Sequence, residues 1–175
     1  DWGFLSENYK TKSGATKRII NARSETLLEK KSFKDVAVSQ RCLILADGFY
    51  EWKRDGGGKK AYYIYANDHK SFAFAGLWRS EANNTHLGFD SKSFVILTRA
   101  AVTSIKRIHH RMPFILNAEH CEAWLNGTVA AATNLLNENH HIELSCHEVS
   151  DRVGNVRNDD PSLCDKFIQP QLALF

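Results

Sequence analysis

No apolar run in these 175 residues approaches the ~20 that a membrane-spanning helix needs. The opening Asp-Trp-Gly-Phe-Leu-Ser has neither a basic n-region nor a long apolar core, so no secretory signal is visible. The four cysteines (Cys42, Cys121, Cys146 and Cys164) contain no Cys-x-x-Cys pair. Their scatter points to reduced thiols and a cytosolic protein. No Ser/His/Asp set and no zinc-protease motif appears, which places a general peptidase last among the readings. Adjacent histidines point opposite ways in extended chain, so His109 with His110 makes a poor metal pair. Cys146-His147 with His140 and His141 is no better, and no metal or cofactor is expected. There is no strong excess of one charge either. A net charge of +3 and a pI near 8.7 permit a nucleic-acid partner without demanding one. Repeats, low-complexity blocks and linkers are absent, and the length fits a single domain over residues 1–175.

What is present is an ordinary globular balance, 43% hydrophobic and 25% charged. The chain is organised around residues 42–53. An apolar strand, Cys42 to Ala46, meets Asp47-Gly48 and continues as Phe49-Tyr50-Glu51-Trp52. A buried strand reaching a sharp bend is the expected form. Lys53 to Lys60, with its three glycines, reads as a hairpin returning through Ala61–Ala66. Phe72–Trp78 and Ser93–Thr98 read as further buried strands, and Gly76 as a bulge or close approach. Residues 6–17 and 79–92 are polar and read as loops. Ser24 is expected to cap a helix running to about Phe33, with Leu27 and Leu28 inward and residues 35–41 as a connector. A weak helical or turn pattern covers 99–108, and Phe114–Leu116 is a short strand. Asn117 and Thr128 are expected to cap helices over 118–125 and 129–136, the first stopped by Asn126-Gly127. Ile142, Leu144 and Cys146 alternate as in a half-buried strand. The predicted class is α+β, a mixed strand-rich sheet or barrel with about three short helices.

Glu51 is the first candidate for chemistry. A carboxyl flanked by aromatics is expected to be desolvated, which raises its pKa and lets it carry a proton near neutrality. The bland alternative is a strand-end glutamate facing solvent. His109 is the second candidate, in a His-His-Arg-Met-Pro run that Pro113 keeps extended or turned. The alternative is a solvated surface loop. Asn21 and Arg23 are the third. Two residues apart, they face the same side of a strand, where an amide and a guanidinium can hold a phosphate or orient an amine. Taken alone they also fit an edge strand with polar residues outward. Scattered lysines and arginines interleave with Trp2, Phe49, Tyr50, Trp52 and Trp78, a composition compatible with single-stranded nucleic acid.

Three stretches in order, Ile20-Asn21-Ala22-Arg23-Ser24-Glu25-Thr26, Ala46-Asp47-Gly48-Phe49-Tyr50-Glu51-Trp52 and Ile108-His109-His110-Arg111-Met112-Pro113, closely resemble the SRAP (SOS response-associated peptidase) family. The Trp2-Gly3-Phe4-Leu5 start and the Val149-Ser150 and Val153-Gly154-Asn155-Val156 stretches resemble its outer motifs. The resemblance implies an α+β domain that binds single-stranded DNA and cross-links abasic sites. The nucleophile it implies is a cysteine exposed when the initiator methionine is removed, closing a thiazolidine with the sugar aldehyde. It implies that Asn21 orients the N-terminal amine and that Glu51 moves protons. It implies that His109 assists ring opening and that Arg23 grips phosphate. Trp2, Phe49, Trp52, Thr98 and Arg111 are implied DNA contacts. A monomer is expected, in the cytoplasm and nucleoid-associated in a prokaryote, or in the nucleus of a eukaryote. The family begins Met-Cys-Gly-Arg, several dozen residues before its Trp-Gly strand. The present sequence is therefore expected to be N-terminally incomplete, and not itself to form the thiazolidine. The alternative function is a non-covalent single-stranded DNA binding module.

Overall fold

The computed structural model describes residues 1–10, 16–81, 91–138 and 142–168. In chain order the elements are β1 (Phe4–Lys10), β2 (Thr16–Ile19), β3 (Asn21–Arg23), α1 (Lys31–Ser39), β4 (Arg41–Ala46), β5 (Gly48–Asp55), β6 (Gly58–Ala66), β7 (Phe72–Glu81) and β8 (Ser91–Ala100). They continue with α2 (Thr103–Lys106), β9 (Arg111–Pro113), β10 (Ile115–Leu116), α3 (Ala118–Asn126), α4 (Val129–Asn137) and β11 (Leu144–Glu148). The α+β class holds, with four α-helices among the described residues rather than about three. None of these helices is long and apolar enough to cross a membrane.

Contacts divide the chain into two compact units. The first comprises Asp1–Ala46, Phe72–Ala100 and Arg111–Ile142; the second comprises Asp47–Ser71, Ala101–His110 and Glu143–Phe175. The chain leaves the first unit for the second at Ala46–Asp47, inside the stretch that organises the sequence.

In the first unit, one sheet runs β10-β7-β8-β3, with β4 also on β7 and β9 also on β8. β7 is its centre. Phe72, Ala73, Phe74, Ala75 and Leu77 are all buried, as the unbroken apolar run requires. Gly76 sits opposite Cys42 and Ile96 in register, where a Cβ would collide with Ile44 Cδ1 and come within 3.0 Å of both Cys42 Sγ and the Val95 carbonyl oxygen. Close approach of neighbouring strands therefore accounts for that glycine. Phe4, Leu77, Val95, Leu97, Phe114, Leu116, Trp124 and Leu135 belong to one contiguous core.

Several expectations need correction here. β4 is half-buried rather than buried. It pairs with β7 alone among the described strands, and Leu45 is 78% exposed. Ser24–Thr26 forms only a 3-10 turn, and the helix starts at Lys31, near the expected helix end, and runs through the expected connector to Ser39. The apolar i, i+3, i+4 set is Phe33, Val36 and Ala37, which packs with the core, whereas Leu28 is exposed. β1 runs to Lys10 and β2 begins at Thr16, so much of the polar 6–17 stretch is paired strand. β7 and β8 likewise extend to Glu81 and from Ser91. Main-chain pairing satisfies these segments whatever their side-chain polarity. Residues 11–15 and 82–90 lie outside the described residues.

Thr128 caps α4 as expected, its hydroxyl accepting from Ala131 N–H at 3.2 Å. Asn117 precedes α3 but makes no side-chain cap bond. Gly127 ends α3 with φ −67°, so it serves not by a left-handed turn but because a Cβ would strike the Ala123 carbonyl oxygen.

Arg41, buried, closes the ends of two helices. Its guanidinium donates to the carbonyls of Ala37 and Val38 (both 2.9 Å) at the end of α1. It also donates to Trp124 (2.5 Å), Leu125 (3.5 Å) and Gly127 (2.5 Å) at the end of α3. These carbonyls have lost their intrahelical donors, and a cation also suits the negative end of each helix dipole.

In the second unit, β5 and β6 form the expected hairpin through Gly56-Gly57, with Asp55 opposite Gly58, and β11 adds to the far side of β6. The short α2 packs against β11.

Candidate active site

Strand alternation decides what surrounds Glu51. In β5, residues 49, 51 and 53 face one side and residues 48, 50, 52 and 54 the other. Directly opposite residues share a face, so Glu51 stands beside Tyr62 and Phe49 beside Ile64. Tyr50 points to the opposite face, where its ring meets that of Tyr63 at 5.4 Å and its hydroxyl lies 3.1 Å from Cys164 Sγ. Burial, followed by the Cys164 contact, pushes the Tyr50 hydroxyl up. The expected aromatic sandwich around the Glu51 carboxyl is therefore only half formed: Tyr50 leaves from the other side of the strand, whereas Trp52 lines the same pocket as Glu51.

What Glu51 meets instead is His109. Glu51 Oε1 lies 3.5 Å from His109 Nδ1, with the two side chains 24% and 36% exposed. The Trp52 N–H donates to Glu51 Oε2 at 3.3 Å. His109 is placed by the turn after α2, where its N–H donates to the Ile105 carbonyl at 3.2 Å and the buried Ile105 and Ile108 anchor the segment. The His110 ring lies 4.4 Å from that of His109. A pocket of about 520 Å³ contains this pair, and Arg54, Lys59 and Lys106 line it along with Trp52. Lys59 Nζ sits 4.5 Å from the Trp52 ring centroid. The carboxylate and imidazole can exchange and deliver protons, and the three cations suit an anionic ligand.

The remaining candidates lie in the first unit, apart from Phe49, which is half-buried on β5. Asn21 and Arg23 are exposed on β3 and flank the buried Ala22, as period-2 alternation predicts. β3 pairs parallel with β8, setting Asn21 opposite Ile96 and Arg23 opposite Thr98. Trp2 is 50% exposed; its indole N–H donates to the Ile20 carbonyl at 3.0 Å and its ring stacks on Phe94. Arg111 is already engaged. It forms a bidentate pair with Glu25 (2.6 and 2.9 Å) and donates to the Thr98 carbonyl (2.6 Å) and hydroxyl (3.1 Å). The hydrogen bond from Arg111 is the main cause holding the Glu25 carboxyl below the usual range.

Among the described residues no group of three His, Cys, Asp or Glu side chains is arranged to hold a metal ion. His140 and His141 lie outside them. Two features escaped sequence reading. Arg41 carried no signal beyond one arginine before an apolar strand. The Glu25–Arg111 pair joins residues 86 apart, and only Glu25's place beside the Asn-Ala-Arg motif hinted at a role.

Fold and pocket together define an α+β chain with an acid–base pair in a cation-lined site, a make-up suited to an anionic ligand. Residues 1–156 match the family profile described as SOS response associated peptidase (SRAP), and the chain belongs to that family. It is 38% identical over 152 residues to the abasic site processing protein YoaM of Bacillus subtilis (strain 168), covering 85% of this chain and 66% of YoaM. It is 32% identical over 182 residues to the abasic site processing protein HMCES of Gallus gallus, covering 91% of this chain and 54% of HMCES. A crystal structure of a protein from Bacteroides thetaiotaomicron superposes with a TM-score of 0.78 at 28% identity, covering 95% of this chain and 75% of that one. The chain thus spans about two thirds of the length of YoaM and about half of that of HMCES.

Proposed function

We propose that this protein binds single-stranded DNA and processes abasic sites, acting as a monomeric SRAP-type domain over residues 1–175. One observation carries the reading: Glu51 and His109 stand 3.5 Å apart in a pocket lined by Arg54, Lys59 and Lys106. The names of the relatives supply the substrate class. The pocket supports the chemistry that such a substrate requires.

An abasic deoxyribose is mostly a closed hemiacetal, and its reactive form is the open aldehyde. Opening removes a proton from the anomeric hydroxyl and adds one to the ring oxygen. Glu51 takes the first and His109 gives the second, after which their contact returns the pair to its starting state. Arg54 and Lys106 hold phosphate next to the damaged sugar. Arg23 grips a further phosphate, and Asn21 orients the N-terminal amine. The nucleophile is a cysteine at the mature N-terminus, freed by removal of the initiator methionine. Its amine forms an imine with the aldehyde, one water leaves, and the thiol adds to the imine carbon to close the thiazolidine. Cys42 does not fit that role, because burial pushes its thiol up to about 11 and little thiolate remains near neutrality.

The test uses a form that begins Met-Cys and single-stranded DNA carrying one abasic site. A denaturation-resistant protein–DNA band is expected, intact DNA gives none, and substituting the N-terminal cysteine removes it. A band that survives the substitution overturns the thiol mechanism. The half-exposed Trp2 favours a second reading, a non-covalent single-stranded DNA module with stacking platforms. That module binds intact and abasic DNA alike and gives no band.

A further inference from the structure

We propose that Lys59 is an amine nucleophile of the pocket and gives the protein a lyase activity toward the abasic aldehyde that needs no cysteine. The proposal rests on the reading that abasic DNA is the substrate.

Three observations single out this lysine. Lys59, opposite Arg54, leaves the hairpin from the face opposite Glu51, yet both line one pocket with His109 beside β5, the edge strand of its sheet, so that pocket offers an aldehyde an amine as well as the acid–base pair. Its position is fixed by the fold. Lys59 pairs with Arg54 just beyond the tight β5–β6 turn, and its ammonium rests over the Trp52 ring at 4.5 Å. A cation–π contact of this kind restrains an otherwise flexible four-carbon stem. Finally, among the described residues no carboxylate forms an ion pair with Lys59, whereas the next residue, Lys60, is tied to Glu148 at 3.1 Å. An amine bound in an ion pair is not free to attack; among the described residues Lys59 rests on a ring face instead.

The chemistry balances without any oxidant or reductant. Solvent water takes a proton from the exposed Nζ ammonium, and the freed lone pair attacks the aldehyde carbon C1′. The resulting carbinolamine loses its hydroxyl as water, using a proton from His109, and an iminium forms. Glu51 then takes a proton from C2′. The C2′=C3′ double bond forms as the C3′–O3′ bond breaks, and the downstream strand leaves with its 5′-phosphate. Water hydrolyses the remaining imine, which frees Lys59 and releases an unsaturated aldehyde on the upstream strand. The adjacent Glu51–His109 contact returns the proton to the imidazole.

The experiment uses the 175-residue chain, a single-stranded oligonucleotide with one abasic site, and sodium cyanoborohydride to reduce any imine to a stable secondary amine. Mass spectrometry locates the adduct, and a gel without reductant reads strand cleavage. Binding is measured separately with an intact-sugar analogue. We expect the adduct on Lys59, and both adduct and cleavage falling about tenfold or more in Lys59→Arg, which keeps the charge and the ring contact. Glu51→Gln should slow adduct formation, because ring opening uses Glu51, and should slow cleavage further, because the C2′ proton then has no carboxylate to take it. An adduct on the Asp1 amine or on Lys106, unchanged by Lys59→Arg, overturns the proposal. So does the absence of any adduct from a chain that binds the oligonucleotide. Failure to bind the oligonucleotide at all overturns the reading of the substrate, and the lysine proposal falls with it.

Discussion

The two compact units differ in what their buried residues do. The first encloses a contiguous apolar core built from Phe4, Leu77, Val95, Leu97, Phe114, Leu116, Trp124 and Leu135, and its buried guanidinium ends two helices. The second is a three-stranded sheet with a short helix; Ile64, Ile105 and Ile108 are buried in it, and Ile108 also lines a pocket with Glu51, His109 and three cations. Arg41 and Glu51 make the contrast concrete. Both are charged and at least partly withdrawn from water. All of Arg41's described bonds go to main-chain carbonyls, a structural use of charge. Glu51 instead faces a titratable partner across 3.5 Å and a pocket with room for a ligand. A charge whose partners are all main chain marks architecture; a charge paired with a titratable side chain beside a cavity marks chemistry.

The sharpest way to break this division is to remove each charge. Arg41→Met keeps much of the stem but leaves five carbonyls without their donor. Several orphaned acceptors at once should cost about 3 kcal/mol or more in urea unfolding. In the form that begins Met-Cys, the proposed cross-linking rate per folded molecule should not change. A rate that falls with the stability would show that Arg41 also serves the site. Glu51→Gln in the same Met-Cys form should do the reverse, slowing the proposed cross-link formation about a hundredfold while the unfolding free energy moves by no more than about 0.5 kcal/mol. Unchanged kinetics would remove Glu51 from proton transfer.

The next comparison lies within the first unit, between two arginines. Arg23 is exposed on β3, whereas Arg111 is paired with Glu25. Arg23→Ala should weaken single-stranded DNA binding and make the dependence of log K on log salt shallower by about 0.7, the loss of one phosphate contact. Arg111→Ala should change that slope less, because part of its charge is neutralised in place. Equal changes would mean that DNA displaces Glu25 from Arg111.

Much of this architecture was legible in the sequence, for identifiable reasons. Continuous apolar runs gave β7 and β8, paired glycines gave the β5–β6 turn, and Thr128 marked the start of α4. The misplaced helix is equally instructive. Ser24 looked like a cap and Leu27-Leu28 like an inward pair, yet the face that fits the core is Phe33, Val36 and Ala37. Tertiary packing outweighed a local signal worth about 1 kcal/mol. At the site, the resemblance placed Glu51 and His109 in one mechanism, but nothing in the sequence placed them within contact. The aromatic environment inferred from Tyr50 and Trp52 ignored strand alternation, which sends Tyr50 to the opposite face from Glu51, while Trp52 still reaches the pocket. Arg41 and Glu25 went unread because their partners lie far along the chain, or are carbonyls that have no sequence signature.

The smallest expected effect tests whether the first unit's surface pair is architecture too. Glu25 is held below the usual carboxylate range, chiefly by the hydrogen bond from Arg111. A carboxyl lowered on folding binds fewer protons in the native than in the unfolded chain. Its contribution to stability is therefore fully present above the unfolded value, roughly 4.3. It is lost as pH falls through the lower folded value. Glu25→Gln should remove that part of the acid sensitivity. Its unfolding free energy should lie below that of the parent chain at pH 7, and the gap should close toward pH 3. Because the Glu25 side chain is 49% exposed, solvent screening limits the gap to about 1 kcal/mol or less. A gap that persists unchanged to pH 3 would mean that the geometry of Glu25, rather than its charge, supports Arg111. The Arg111–Thr98 bonds would then carry the stabilisation without the ion pair.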